Sequence, residues 1–258
     1  METLQPQPKT GLSGDGLRAW GLIALAAGAA GKGLIQRKLL GLGSLTAAEL
    51  LSRLDSSDTT MALATVALIL QAVECCAVPI FAFLLAEGAE RTQDLSHYFI
   101  RLLALAMVAE IPYDLAFQGR VLALSQQNPV FGLVLGLIAL HFCRSHSGPG
   151  LKNRFIQVAV TLAAMVWASM LRVSYGGCTV VLAAVSWALR KKPMLRNLAG
   201  ACTAVVCSLS SPFFLASPMS YLVMHSYNGT QGEAGKWVRY LAYPTILLFV
   251  WAVTVVMP

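Results

Sequence analysis

Residues 101–117, RLLALAMVAEIPYDLAF, form an apolar run that starts at Arg101 and carries Glu110 and Asp114 on either side of Pro112. Without the charges and the proline, the stretch reads as an ordinary membrane-embedded helix. With them, two readings stand. Proline removes a backbone donor and bends or ends a helix. Glu110-Ile-Pro-Tyr-Asp114 therefore fits a helix end at a membrane interface, with Tyr113 as an interfacial aromatic. On a continuous helix, Glu110 and Asp114 share one face, which fits a polar pocket with both carboxylates as acid/base or binding groups. A charge at the bilayer centre costs about 2.5–3.5 kcal/mol on insertion scales. Such residues are informative wherever they occur.

The rest of the chain sets the solvent. Of 258 residues, 57% are hydrophobic and 12% charged, and the mean hydropathy is +0.66. Soluble domains carry about 25% charged residues. Long apolar blocks separated by charged clusters predict an all-α, polytopic helical membrane bundle. The net charge of +7 then reports which loops stay cytoplasmic. No Lys/Arg run is interleaved with aromatics on a polar domain, so nucleic acid is not an expected partner; the lipid bilayer is. The six cysteines form no C-x-x-C pair and mostly sit in apolar segments as small hydrophobes. His141, Cys143 and His146 lack the carboxylates and spacing of a tetrahedral site, so no metal is expected.

Residues 1–15 are polar, with Pro and Gly, and read as a disordered cytoplasmic tail, leaving 16–258 as one transmembrane domain. Spans are expected at about 17–35 (interrupted by Lys32), 60–85, 97–117, 128–142, 155–171, 175–189 and 238–256. Residues 198–226, broken by Pro212 and Pro218, form one long kinked span or two short ones, giving about eight or nine in all. Thr46 with Glu49 fits a capping box, predicting a short surface helix before the second span. Gly132 and Gly136 have the spacing of a close-packing face. The basic loops at 144–154 and 190–196 are two spans apart, so the positive-inside rule puts both, and the N-terminus, in the cytoplasm. Within the spans Glu74 and Glu110 stand out, with Arg101 as their candidate partner.

Several segments occur together in a fixed order: VPIFAFLLAEG (78–88), the opening run (101–117), NPVFGLVLGLIAL (128–140), YGG (175–177), YNGTQGE (227–233) and YLAYP (240–244). Together they resemble the TraX family, multispanning proteins named for the conjugal pilin acetylase. The resemblance implies a bacterial inner-membrane, acyltransferase-like bundle that uses acetyl-CoA as co-substrate. The acceptor is a pilin-like peptide or another small amine or hydroxyl. Carried onto this chain, it implies Glu110 and Asp114 as catalytic groups and Arg101, Tyr113, Asn128, Tyr227 and Asn228 as substrate-binding ones. Arg190, Lys191 and Lys192 would meet the phosphates of acetyl-CoA.

The departures are equally specific. The Asp-His pair usual in the family's first span is here Gly28-Ala29, and the usual Gly-Arg before the Pro-Ile-Phe motif is Glu74-Cys75. Neither Gly nor Ala accepts a proton, so a general base must come from elsewhere, and Glu110 is the expected substitute. The competing expectation is a catalytically degenerate member acting as an assembly factor or small-solute carrier.

Overall fold

In the computed structural model, residues 11–41 and 57–256 are described, with the single positions Glu49 and Ser52. The surface helix expected around 46–59 lies largely outside them. The described residues are all-helical, without a strand. Helix α1 (Gly14–Ala29) continues as a π-helical stretch, Ala30–Leu39. Then come α2 (Asp58–Cys75), α3 (Ala77–Arg91), α4 (Leu95–Gln118), α5 (Val130–Ser145), α6 (Leu151–Met170) and α7 (Gly176–Ala188). A further helix α8 (Pro193–Val206), 3-10 turns at Cys207–Leu209 and Pro212–Met219, a short α9 (Ser220–His225) and α10 (Lys236–Val256) complete them.

Local chemistry explains the boundaries. Ser13, Ser57 and Asp94 accept the backbone N–H of Gly16, Thr60 and His97, capping α1, α2 and α4 at their first turns. Pro79 cannot donate to Cys75 and its ring crowds that carbonyl; the break between α2 and α3 falls there, at Cys76. Pro112 has a milder effect. It is buried, and α4 runs past it to Gln118, so Glu110–Asp114 lies inside a helix and is not its end. Gly119, at φ 66, closes α4 in the left-handed conformation that suits glycine. Arg37 caps the same end, donating to the carbonyls of Leu115 and Ala116 at 2.9 and 3.1 Å.

Packing pairs α1 with α2, α3 with α7, α4 with α10 and α5 with α7. Gly132 lets α5 approach α7 closely: a Cβ there would lie 3.0 Å from the Gly176 Cα. The 198–226 region resolves into two short helices, α8 and α9, joined by 3-10 turns. Both outer ends of this hairpin lie at one end of the bundle, because Tyr221 packs on Gly200 and the hairpin's tip reaches Cys76 through the Ala216 carbonyl, 3.3 Å from Sγ.

Two stretches are long and apolar enough to cross a membrane, Asp58–Arg91 with 34 residues and Val238–Val256 with 19. The helices at 130–145, 176–188 and 193–209 are apolar but shorter. The structure therefore supports the all-helical class, while the count of eight or nine spans exceeds what length and composition alone establish.

Residues 11–15, expected within the tail, are instead held in place. Leu12 donates to the Ser226 carbonyl at 2.8 Å, and Gly14 to Thr230 at 2.7 Å. Asp15 pairs with Arg18 at 2.6 Å and Arg239 at 2.9 Å and accepts the Ala234 N–H at 2.8 Å. Burial alone raises the Asp15 carboxyl, but the Ala234 N–H, Arg239 and Arg18 outweigh it and hold it below the ordinary carboxylate range. A depressed folded-state value means the stabilisation is complete above the unfolded-state value, about pH 4, and fades as pH falls through the folded one. Asp15→Asn should lower thermal stability by about 1 kcal/mol at pH 7 and flatten its fall below about pH 4. Melting curves from pH 3 to 7 check this; parallel curves for the two proteins exclude it.

Candidate functional site

The opening motif organises a loop. Asp114, fully buried, accepts the Ala123 N–H at 2.7 Å and the Gln118 side chain at 3.1 Å. Glu110 Oε2 accepts the Asn128 backbone N–H at 3.1 Å and its side-chain amide at 2.5 Å. The same amide donates to the Ala106 carbonyl at 2.9 Å, and Asn128 Oδ1 accepts the Val130 N–H at 2.9 Å. Asn128 is thereby drawn back to the level of Ala106, inside the bundle, at the end of an otherwise exposed loop. Gln127 exchanges backbone bonds with Arg172 and Ser174, each 3.0 Å, and the Tyr113 hydroxyl meets Ser174 at 2.6 Å. The two carboxylates share a face but serve different partners.

A second charged group lies one layer away. Lys32 Nζ donates to Glu74 Oε1 at 3.0 Å and to the Tyr175 hydroxyl at 2.9 Å. It also lies 2.9 Å from Glu74 Oε2, as an ion pair without hydrogen-bond geometry, so that buried oxygen keeps its lone pairs unengaged. The ammonium stands 5.0 Å from the Tyr175 ring centroid and 5.8 Å from that of Phe117. Glu74 has room only because residue 28 is glycine: a Cβ there would collide with the Glu74 side chain. Arg101, the partner expected for the buried glutamates, pairs with neither; its Nε donates to the His97 carbonyl at 3.2 Å.

Arg101 instead lines a cavity of 360 Å3 between α1, α3, α4, α5 and α10. Its walls are apolar, from Leu22, Phe81, Leu105 and Leu133. At one end stand Arg18, Arg101 and Arg239; at the other are Ala77, Pro129, Val130 and Tyr175. Ala77 and Gly88, both in the wall, are about 16 Å apart along α3. Asp15 neutralises part of the arginine end by pairing with Arg18 and Arg239. Arg101 makes no ion pair among the described residues. The cavity is within the 300–1,000 Å3 or so typical of small-molecule sites.

The remaining expected residues fall elsewhere. Tyr227 stacks edge-on against Phe83 with centroids 5.2 Å apart and accepts from Arg91 at 3.2 Å. Asn228 shapes the turn, accepting the Thr230 N–H at 2.9 Å and donating to the Gly11 carbonyl at 3.2 Å. Arg190, paired with Glu90 at 3.0 Å, and Lys191 line a separate cavity on the opposite face of α3. Lys192 is the residue preceding α8. Lys32 is the member that sequence reading passed over. Its signal was present: a lone cation in the first apolar stretch and a lone carboxylate, Glu74, in the next.

No curated protein and no solved structure matches the chain. A family model described as TraX protein matches residues 60–254. That range holds the Pro-Ile-Phe motif, the Glu110–Asp114 turn of α4, its Asn128 anchor and the Tyr-Asn-Gly turn. It covers most of the chain, which therefore belongs to the TraX family.

Proposed function

We propose that this protein is a polytopic membrane protein that binds acetyl-CoA or a similar acyl thioester and transfers the acyl group to an amine or hydroxyl. The acceptor is a pilin-like peptide or another small acceptor, and the setting is a bacterial inner membrane with the arginine-rich end cytoplasmic. The outward faces support the membrane reading. Phe155, Val158, Leu162, Val166 and Met170 are all exposed along α6, as are Val66, Ile69 and Val73 along α2. Continuous apolar surfaces of this extent are rare on soluble monomers and mark contact with a membrane or a partner.

The observation that carries the transfer reading is the cavity that runs from three guanidiniums to Tyr175, whose hydroxyl accepts from Lys32 of the Lys32–Glu74 pair. Phosphates belong at the arginine end, and a slender acyl arm fits the apolar walls. In transfer, the acceptor nitrogen attacks the thioester carbonyl, the C–N bond forms and the C–S bond breaks. The proton lost by the acceptor passes through the Tyr175–Lys32–Glu74 cluster to the departing thiolate, so none is consumed. Glu74 takes the place given to Glu110 in sequence reading, because Lys32 links it to Tyr175 of the cavity wall, whereas the hydrogen bonds of Glu110 run to Asn128. Glu110 and Asp114 then act as positioning residues, setting Pro129 and Val130 in the cavity wall.

Calorimetry with acetyl-CoA on detergent-purified protein, followed by label transfer to peptide amines, tests this. Arg101→Gln should weaken binding about tenfold, and Glu74→Gln should abolish transfer while binding persists. A folded sample that binds no acetyl-CoA overturns the reading. Binding without transfer in the wild-type protein favours the alternative, a non-catalytic assembly factor or carrier. That alternative draws on Gly28-Ala29, where the family's usual Asp-His pair is missing.

A further inference from the structure

On the face of α3 turned away from the acyl cavity lies a second one, of 250 Å3, lined by Phe83, Glu87, Glu90, Arg91, Arg190, Lys191 and Arg196 among others. Its charges do not balance. Glu87 is taken by Arg91 at 2.8 Å and Glu90 by Arg190 at 3.0 Å. Lys191 and Arg196 make no ion pair among the described residues; Glu87, held by Arg91, acts on Arg196 only from beyond bonding distance. Arg196 is the telling one. Only 8% of it is exposed, yet its single side-chain hydrogen bond runs from Nε to the neighbouring Asn197 Oδ1 at 3.3 Å. Its guanidinium sits 4.5 Å from the Phe83 ring centroid, which offsets part of the cost of burying a charge. A guanidinium carries five N–H donors, so most of this one's capacity is unspent, in a cavity wall.

The backbone compounds the imbalance. Arg196 lies in the first turn of α8, at the positive end of its dipole, where anions are favoured and cations are not. That turn has no acidic residue and no capping side chain, and Lys191 and Lys192 precede it. A buried, unpaired arginine at a helix N-terminus is costly unless an anion completes it. We infer that this cavity is a binding site for a phosphate monoester, with Arg196 as its principal ligand and Lys191 at its rim. Planar, forked donors match phosphate oxygens two at a time. The site lies at the same end of the bundle as Arg18, Arg101 and Arg239, but on the other side of α3, and its occupancy does not depend on acyl transfer.

The phosphate could belong to a lipid headgroup or to a soluble ester, and two probes separate them. In nanodiscs, native mass spectrometry would follow retention of phosphatidic acid against phosphatidylcholine. In detergent, calorimetry would follow glycerol 3-phosphate. Arg196→Gln is expected to weaken binding of the monoester about tenfold or more. Lys191→Gln, an exposed change that does not threaten folding, should weaken it severalfold, and Arg101→Gln should leave it unaltered. Retention of phosphatidic acid alone assigns a lipid source, and binding of glycerol 3-phosphate assigns a soluble one. Failure of both probes, or binding that neither Arg196→Gln nor Lys191→Gln weakens, overturns the proposal.

Discussion

Glu74→Ala is expected to lower the stability of the detergent-solubilised protein by about 3 kcal/mol, roughly 10 °C in melting temperature. Removing one member of a buried ion pair strands the other, and the usual cost is about 3–5 kcal/mol. The lower figure applies because the Lys32 side chain is 24% exposed and keeps its bond to the Tyr175 hydroxyl. The companion experiment is the double change Lys32→Met with Glu74→Leu. Replacing a buried pair by apolar groups of similar size is often close to neutral, so the double variant should recover about two-thirds of the loss. Additive losses would mean that the two side chains are energetically independent. Because Glu74 fills the space left by the missing Gly28 side chain, Gly28→Ala should weaken the same pair.

The second large effect belongs to Asn128→Ala, for which a loss of about 3 kcal/mol is expected. Three bonds vanish together: to the Ala106 carbonyl, to Glu110 and from the Val130 N–H. The truncation also leaves the Glu110 carboxylate with a single donor, the Asn128 backbone N–H, in a buried place. Stranded buried groups cost more than the bonds themselves are worth. The loop bearing Pro129 and Val130 loses its anchor, so affinity for any cavity ligand should fall along with the melting temperature. Unchanged thermal unfolding would show that residues 119–129 are held by Asp114 and Gln127 alone.

Much of this architecture can be read from the chain, and the reason is the length of its apolar runs. The apolar run expected at about 97–117 emerges as the helix Leu95–Gln118, and the one at about 238–256 as Lys236–Val256. The π-helical stretch after Ala29 was not legible, because it depends on what packs against it, which hydropathy does not carry. Two other points stayed open between alternatives: 198–226 as one kinked span or two short ones, and Pro112 as a helix end or an interior residue. Tertiary packing decides both, giving the hairpin of α8 and α9 and a continuous α4. The site was legible by residue type more than by pairing. Arg101, Glu110 and Asp114 stand out as charges in an apolar setting. Nothing in their spacing reveals that Arg101 faces a cavity while the two carboxylates tie down a loop.

The clasp between residues 12–15 and 226–239 has a consequence for how the molecule is made. Asp15 waits for the backbone of Ala234, 219 residues later, and for Arg239, 224 residues later. At about 5–20 residues per second, the first helix leaves the ribosome roughly 10–45 s before those partners exist. Throughout that interval Arg18 is the only described counter-charge Asp15 has, and the arginine end of the cavity is unfinished. The cavity lined by Arg18, Arg101 and Arg239 therefore closes only after α10 is made, when that helix arrives to latch α1.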